Sequence, residues 1–330
     1  MSNESTTLTI PAEWSHHKVL WTAWPSHETL WQENLAGARE EVANMVRALA
    51  SGEPIRVLAC GDEAMASATA AIGYEAEILP ARFGDIWLRD TGPIFALTAQ
   101  GSIALRFRNN GWGGKYRLPG DDSVGDEVAK AAGVEPLHFD FVLEGGALEH
   151  NGNGVVLTTR QCLLNPNRNG DWSQARAEQA LQQALNCKQV LWLEDGLLND
   201  HTDGHVDNLA RFVDSNSVVC QSASGRSDPN AGLYDTLYKA LRGMGLNVHQ
   251  IPSPGRIDDT EGEPMPASHM NFIIGNETVV MPVYEDHYSP QAVADLQRLF
   301  PRHKVVGLPS RHLLTGGGSF HCITQQEPEL

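Results

Sequence analysis

A strand–helix–strand unit recurs five times along the chain, and this recurrence constrains the fold more than any other feature. Each copy has a short apolar segment, an amphipathic helical segment and a second apolar segment. The copies span 19–60, 103–142, 155–193, 218–251 and 279–308, and the second is the weakest match. From Val156 to Val219 is 63 positions and from Val219 to Val280 is 61, so the last three copies are nearly in step. The pattern predicts an α/β fold. The five units are either repeats arranged around an axis or βαβ units of one ordinary sheet.

Polar clusters follow four of the five units. They are DIWLRD (85–90), EGG (144–146), HTDGHVD (201–207) and GGGSFHC (316–322). If the repeats are arranged around an axis, equivalent ends meet at the centre. One pocket would then hold a cysteine, a histidine and several carboxylates that are distant in sequence.

Composition excludes several classes of protein. The 24 Lys+Arg against 41 Asp+Glu give a formal net charge of −17, which repels nucleic acids and anionic membrane surfaces and attracts cations. The first residues show no secretory signal, and no segment approaches the roughly 18 apolar residues of a membrane span. The five cysteines form no C-x-x-C pair, which argues against a disulfide framework and a cysteine-rich zinc site. We therefore expect a single cytoplasmic domain over residues 1–330, with its thiols reduced. The oligomeric state, including a homo-oligomer, stays open.

Cys322 is the strongest candidate nucleophile. Three glycines precede it, and they permit a close approach of the backbone to a ligand. The alternative is a small buried apolar residue, which is our interpretation of the other four cysteines, at positions 60, 162, 187 and 220. A reactive thiolate needs a positive partner, either a histidine imidazolium or the charge of the substrate itself.

The HTDGHVD segment places His201, Asp203, His205 and Asp207 at alternating positions. On an extended strand all four would face one side. They are adequate ligands for a metal-dependent amidohydrolase. Alternatively, one histidine is an acid/base and one aspartate holds a cationic substrate. A third interpretation makes them surface turn residues.

The DIWLRD segment carries Trp87 between Asp85 and Asp90 and ends in a Gly-Pro turn. An aromatic wall with a carboxylate suits a flat cation. The alternative is a strand in which Arg89 forms an internal ion pair. Glu144 precedes two glycines, and by itself this position indicates only an acidic residue in a loop.

Together these residues resemble the agmatine deiminase family of the guanidine-modifying, or pentein, superfamily. The resemblance covers nearly the whole chain, and its GHVD and final HC are shared with the more distant peptidylarginine deiminases. The matching stretches are PAEWSHHKVLWTAWP (11–25), DIWLRDTGPIF (85–95), RFRNNGWGGKY (106–116), EGGALEHNGNG (144–154), LLNPNRN (163–169), NDHTDGHVDNLARF (199–212), PASHMNF (266–272) and GGGSFHCITQQEP (316–328). The resemblance implies a five-bladed α/β propeller.

The resemblance also implies roles for three catalytic residues. Cys322 corresponds to the nucleophile, His205 to the general acid/base, and Glu144 to the acid that supports the histidine and one guanidinium nitrogen. The implied reaction hydrolyses agmatine to N-carbamoylputrescine and ammonia through an S-amidino-cysteine intermediate, in putrescine and polyamine biosynthesis. It implies no metal and no organic cofactor.

Three further residues correspond to substrate contacts. Asp90 and Asp207 resemble the pair that holds the guanidinium, and Trp87 resembles a residue of the pocket wall. Asp85, His201 and Asp203 lie beside these positions and are expected to support them.

Two other functions stay open at this level. Arginine or peptidyl-arginine presents a carboxylate or a peptide chain, and a carboxylate is usually recognised by Arg or Lys. Arg89, Arg106, Arg108 and Arg168 are all candidate readers, so agmatine rests on the resemblance alone. A polyamine-binding protein without turnover would need the acidic pocket, but neither Cys322 nor His205.

Overall fold

A computed structural model describes residues 8–330. This part of the chain forms sixteen strands, which are β1 His17–Ala23, β2 Ile55–Ala59, β3 Glu77–Pro80, β4 Ile94–Thr98, β5 Gly101–Arg108, β6 Pro136–Val142, β7 Glu149–His150, β8 Val155–Thr159, β9 Gln189–Leu193, β10 Ala210–Phe212, β11 Ser217–Ser222, β12 Asn247–Pro252, β13 Ile273–Ile274, β14 Thr278–Val283, β15 Lys304–Pro309 and β16 Thr324–Pro328.

The same residues form twelve helices, several of them single turns. They are α1 Glu28–Trp31, α2 Leu35–Leu49, α3 Asp62–Ile72, α4 Leu88–Thr91, α5 Gly111–Gly114, α6 Val124–Ala132, α7 Arg160–Leu163, α8 Pro166–Asn169, α9 Gln174–Leu185, α10 Ala231–Gly243, α11 Ser289–Leu299 and α12 Arg311–Thr315. Short 3₁₀ turns cover Gln32–Asn34, Gly145–Ala147 and Val206–Asn208. Among residues 8–330 there is no helix with both the length and the apolar character needed to span a membrane.

The strands of this part of the chain form five small sheets, one for each repeat. In each three-stranded sheet the central strand pairs antiparallel with one strand and parallel with the strand that follows a helical crossover, and β1 pairs with β16 and β2 in the same way in the four-stranded sheet. In the fourth sheet, for example, β10 pairs with β11 from Ala210 opposite Cys220, and β11 pairs with β12 from Ser217 opposite Asn247. Such parallel pairs need a crossover, and the amphipathic helix of each repeat supplies it. The prediction of a five-bladed α/β propeller is confirmed.

The first blade joins the two ends of the chain. Its sheet has the order β16-β1-β2-β3, so the last strand pairs antiparallel with the first strand, His17 lying opposite Pro328. The side chain of Glu327 in β16 accepts hydrogen bonds from Trp21 Nε1 at 3.0 Å and Lys18 Nζ at 2.7 Å. This pairing closes the ring of blades and fixes the segment just before β16.

The helices pack their apolar stripes on the sheets. In α10 the buried residues Tyr234, Leu237 and Leu241 recur at helical spacing and join a core cluster with Val218 and Cys220 of β11. The polar cluster of each blade instead lies next to the first strand of the following sheet. α4 and the turns at Gly145–Ala147 and Val206–Asn208 precede β4, β7 and β10 and contact one another in sequence. The loops before β13 and β16 occupy the equivalent positions, so five polar segments meet where the blades converge.

Candidate functional site

A cavity of about 360 Å³ lies where these segments meet. Buried residues, including Asp90, Cys322 and Trp87, form its inner part, while the exposed side chains of Leu30 and Tyr116 mark its mouth. The remaining lining residues are Asp85, Trp112, Leu118, His201, Thr202, Thr315, Gly316 and Gly317. The inner end of the cavity is therefore acidic and aromatic, and it contains a thiol.

The Cys322 thiol is held by the loop before β13. Asn271 Nδ2 donates to Sγ at 3.0 Å, and the Cys322 backbone N–H donates to Asn271 Oδ1 at 3.1 Å. The preceding glycines are required by close packing, since a Cβ at Gly318 would lie 2.7 Å from the Trp87 ring and 3.1 Å from Sγ. The glycine run therefore brings the thiol and the indole against the same backbone.

Burial and the charges of Asp207 and Asp90 raise the pKa of Cys322 well above its ordinary value. Sγ lies 3.6 Å from Asp207 Oδ2, and the Asn271 amide opposes this effect only in part. The thiol is therefore neutral in the free protein. A cation that entered the cavity beside the two carboxylates would remove the electrostatic penalty on the thiolate.

Asp207 is completely buried, and only one of its two carboxylate oxygens has a hydrogen-bond partner among the described residues. Its Oδ2 lies 2.8 Å from His321 Nδ1, whereas Oδ1 has no hydrogen-bond partner within residues 8–330. Burial alone would raise the pKa of Asp207, but His321 outweighs it and the pKa is lowered. His321 Nε2 in turn lies 3.1 Å from Glu13 Oε2, which also pairs with Arg211. A charged carboxylate oxygen without a donor, beside a thiol, is a site for an N–H-bearing cation.

Asp90 provides a second carboxylate at the cavity. Its Oδ1 accepts from the Gly146 backbone N–H and its Oδ2 from Trp112 Nε1, both at 2.8 Å. Burial, with the charges of Glu144 and Asp207, raises the pKa of Asp90. The two hydrogen bonds fix the plane of the carboxylate.

His205 and Glu144 form a buried ion pair behind Asp90. His205 Nε2 donates to Glu144 Oε2 at 3.2 Å, and Nδ1 lies 3.7 Å from Asp90 Oδ2. Burial alone would lower the pKa of His205, but Asp90, Cys162 and Glu144 outweigh it and raise the pKa well above its ordinary value. Conversely, His205 and Arg168 outweigh burial and lower the pKa of Glu144. The pair is an imidazolium and a carboxylate, so His205 is equipped to donate a proton.

Trp87 forms one wall of the cavity, and Asp85 fixes it from behind. The two Asp85 oxygens accept from Trp31 Nε1 at 3.0 Å and Trp87 Nε1 at 2.8 Å, with the two indoles 6.1 Å apart. Asp85 therefore positions the aromatic wall, as expected for a supporting residue. The second half of the DIWLRD segment belongs to the short helix α4, Leu88–Thr91, and Arg89 bonds to Gln326 rather than to an aspartate.

The HTDGHVD segment is not the extended strand on which its His and Asp side chains would share one face. The segment is a succession of turns, with a left-handed backbone at Asp203 (φ 66°) and a 3₁₀ turn after His205. Asp203 accepts from Lys115 at 2.6 Å and Arg168 at 2.6 Å, while Asp207 bonds to His321. The four side chains therefore do not converge on one point, because the turns direct them to different partners.

The arginines proposed as carboxylate readers have other partners. Arg106 bonds to Asp126 and to main-chain carbonyls, Arg108 pairs with Asp140 at the surface, and Arg168 binds Glu144 and Asp203. Among the described residues, the cavity is lined by neither Arg nor Lys. A substrate carboxylate would find no cationic side chain there.

Sequence reasoning assigned no role to three residues at the site. Asn271 holds the thiol, Trp112 holds Asp90, and Cys162, interpreted as structural, lies 3.6 Å from Glu144 Oε2. The position of Asn271 in its repeat could have identified it. It lies two to five positions before the first strand of its sheet, as do Asp90, Glu144, Asp207 and Cys322.

The fold and the site together define a protein of the guanidine-modifying type. The family model of the Porphyromonas-type peptidyl-arginine deiminases matches residues 9–328. An agmatine deiminase of Stutzerimonas stutzeri (strain A1501) is 34% identical over 350 residues, covering 97% of this chain and 95% of that protein. The chain belongs to the Porphyromonas-type peptidyl-arginine deiminase family.

Solved structures give the same result. An agmatine deiminase of Enterococcus faecalis superposes with a TM-score of 0.92 at 30% identity, covering 99% of each chain. A substrate-bound agmatine deiminase of C. jejuni superposes with a TM-score of 0.93 at 27% identity, covering 100% of this chain and 98% of that one. The blade arrangement is therefore shared over the whole length.

Proposed function

We propose that this chain is an agmatine deiminase, which hydrolyses agmatine to N-carbamoylputrescine and ammonia. The observation that carries the proposal is the cavity, whose inner end is lined by Asp90 and the buried Cys322 thiol, with Asp207 Oδ2 3.6 Å from the sulfur. The family relationship to proteins named agmatine deiminase supports the same substrate. The product is a precursor of putrescine, which places the reaction in polyamine biosynthesis. A thiol nucleophile also suits a reducing, cytoplasmic setting.

The lining of the cavity favours agmatine over arginine. Both substrates present a guanidinium, but arginine adds a carboxylate, which would enter an acidic cavity that lacks Arg and Lys among the described lining residues. An unpaired carboxylate there would lose its hydration without compensation. The second cation of agmatine instead suits the negative charge of the protein.

The first step is binding of the guanidinium with its plane fixed. Asp207 Oδ1 and the Asp90 carboxylate accept its N–H groups, and the Trp87 ring covers one side of the cavity. The cation lowers the pKa of Cys322, whose proton leaves to solvent through the cavity. The thiolate then attacks the guanidinium carbon and forms a neutral tetrahedral adduct.

His205 performs the proton transfers. As an imidazolium it protonates the departing nitrogen, so the C–N bond breaks, ammonia leaves and an S-alkylthiouronium remains on Cys322. The neutral His205 then takes a proton from water, and the hydroxide adds to the same carbon. Collapse of this adduct breaks the C–S bond and releases N-carbamoylputrescine. The remaining proton of the attacking water, on the hydroxyl of the adduct, passes to the sulfur and restores the thiol. Glu144, held by Arg168, keeps the His205 ring oriented through both steps.

The test combines turnover with detection of the intermediate. Wild-type protein should release ammonia from agmatine much faster than from arginine, and Cys322→Ala should release none. Cys220→Ala is the matched control, because Cys220 is also buried but lies in β11 away from the cavity. Rapid quenching with agmatine should add the amidino mass to the peptide that contains Cys322. Turnover by Cys322→Ala, or chelator-sensitive turnover with a stoichiometric metal, would overturn the proposal.

A further inference from the structure

Cys162, Glu144 and His205 form a compact cluster of metal-ligating groups. A thiol sulfur, a carboxylate oxygen and an imidazole nitrogen lie within 4.8 Å of one another, and all three residues are buried. Cys162 Sγ lies 3.6 Å from Glu144 Oε2, and His205 Nε2 lies 3.2 Å from the same oxygen. The proposed reaction uses the carboxylate and the imidazole but has no step for this thiol.

The distances match the edges of a tetrahedral zinc site. Zinc–ligand bonds of about 2.3 Å to sulfur and about 2.0–2.2 Å to nitrogen or oxygen place neighbouring ligand atoms roughly 3.6 Å (sulfur–oxygen) and roughly 3.4 Å (nitrogen–oxygen) apart. The two measured separations, 3.6 Å and 3.2 Å, lie close to these values. The third pair, the Cys162 sulfur and the His205 nitrogen, lies within 4.8 Å, so the three atoms can converge on one ion when the side chains adjust.

The charge of the cluster also permits a divalent ion. Coordination replaces the Cys162 thiol proton and the His205 Nε2 proton, so one divalent ion enters in exchange for two protons. The net charge of the buried cluster, including Arg168, is unchanged. Arg168 Nε donates to Glu144 Oε1 at 2.8 Å and to Oε2 at 3.1 Å, and it holds the carboxylate with Oε2 next to the other two ligands.

We propose that Glu144, Cys162 and His205 form a binding site for a thiophilic divalent cation of the Zn²⁺ or Cd²⁺ class, and that occupation of this site inhibits the enzyme. The thiolate ligand selects these ions over Mg²⁺ and Ca²⁺, which prefer oxygen ligands. Inhibition rests on the proposed function, since the ion would occupy the His205 nitrogen and the Glu144 oxygen that the reaction uses. Binding itself does not depend on that function.

The test measures binding by thiolate absorbance in the full chain. In Cys322→Ala, which removes the nucleophile as a competing ligand, Cd²⁺ should produce a thiolate-to-cadmium ultraviolet band that saturates at one ion per chain. Cys322→Ala/Cys162→Ser should lose this band, whereas Cys322→Ala/Cys220→Ser should keep it. Absence of the band in Cys322→Ala, or its survival in Cys322→Ala/Cys162→Ser, would overturn the proposal.

A second variant covers the case in which Cys162→Ser does not fold. Cys322→Ala/Glu144→Gln retains the thiol, and its dissociation constant for Cd²⁺ should rise by at least about 10–100-fold, the range seen when even outer-shell groups of metal sites are lost. An unchanged constant would refute the site. In the active chain, Zn²⁺ inhibition should weaken in Cys162→Ser but not in Cys220→Ser. If wild-type protein did not turn over agmatine, the proposed function would fail while the Cd²⁺ titration would still decide the site.

Discussion

Asp207→Asn tests whether the unpaired oxygen of this carboxylate binds the substrate. The substitution keeps the size and one carbonyl oxygen but removes the negative charge. A guanidinium bound at Oδ1 would lie about 4 Å from that charge, and at an effective dielectric constant of about 20 the attraction is about 4 kcal/mol. Part of it is retained by the amide oxygen, so kcat/KM for agmatine should fall by about 100- to 1,000-fold.

The assay is colorimetric detection of N-carbamoylputrescine across a range of agmatine concentrations, with thermal unfolding measured in parallel. Asp228→Asn is the control, because Asp228 is also buried but bonds to Ser224 and Ser253 at the edge of another blade. It should retain kcat/KM within about threefold, a change of less than 1 kcal/mol. If Asp207→Asn kept kcat/KM within about tenfold of wild type while remaining folded, the assignment of Asp207 to the guanidinium would be wrong.

Three further predictions follow from the packing and charge of the site. Gly318→Ala should lower kcat/KM at least about tenfold, or about 1.4 kcal/mol, because its methyl group would contact the Trp87 ring and Cys322 Sγ. Gly232 has open space around it, so Gly232→Ala should leave kcat/KM unchanged. Equal effects of the two substitutions on kcat/KM would contradict the close packing at Gly318. Arg211→Met removes the arginine that pairs with two buried carboxylates, Glu13 and Glu149, and should lower the free energy of unfolding in urea by about 3–5 kcal/mol. A loss below about 1 kcal/mol would contradict this prediction. Because the pKa of Cys322 is raised, the rate of its alkylation by iodoacetamide without substrate should still increase above pH 8.5, about the ordinary thiol pKa. A plateau near neutral pH would show a thiolate already present in the free protein.

The repeat pattern in the sequence predicted the blades but not how the ring closes. Apolar strands and amphipathic helices mark all five copies, and even the weakest one forms a sheet, with Ala104 of β5 opposite Pro136 of β6. The pairing of β16 with β1 was not predicted, because a strand made of Thr324–Pro328 has no apolar run. Its polar side chains are buried by partners from elsewhere in the chain, as Glu327 shows with Trp21.

The residues that meet at the site were more predictable from the sequence than their geometry. The motifs correctly indicated that Asp90, Glu144, His205, Asp207 and Cys322 would meet, and the structure brings them together. The sequence left the conformation of HTDGHVD open between an extended strand and turns, and the structure shows turns, with a left-handed backbone at Asp203. Neither the sequence motifs nor the spacing of the repeats indicates which way each carboxylate side chain points.

The sequence by itself determined the class of fold and the set of reactive groups, because periodicity and residue type are local properties of the chain. Only the tertiary structure decided their electrostatic state. Burial and the distant carboxylates of Asp207 and Asp90 keep the Cys322 thiol neutral. For His205, the carboxylates of Asp90 and Glu144, more than fifty positions away, outweigh burial and keep the His205–Glu144 pair charged. The proposed preference for agmatine over arginine also rests on the tertiary structure, since each candidate arginine is engaged by residues that packing brings near. Among the described residues the cavity wall contains neither Arg nor Lys, and this is the observation behind the proposal of a substrate with a second cation.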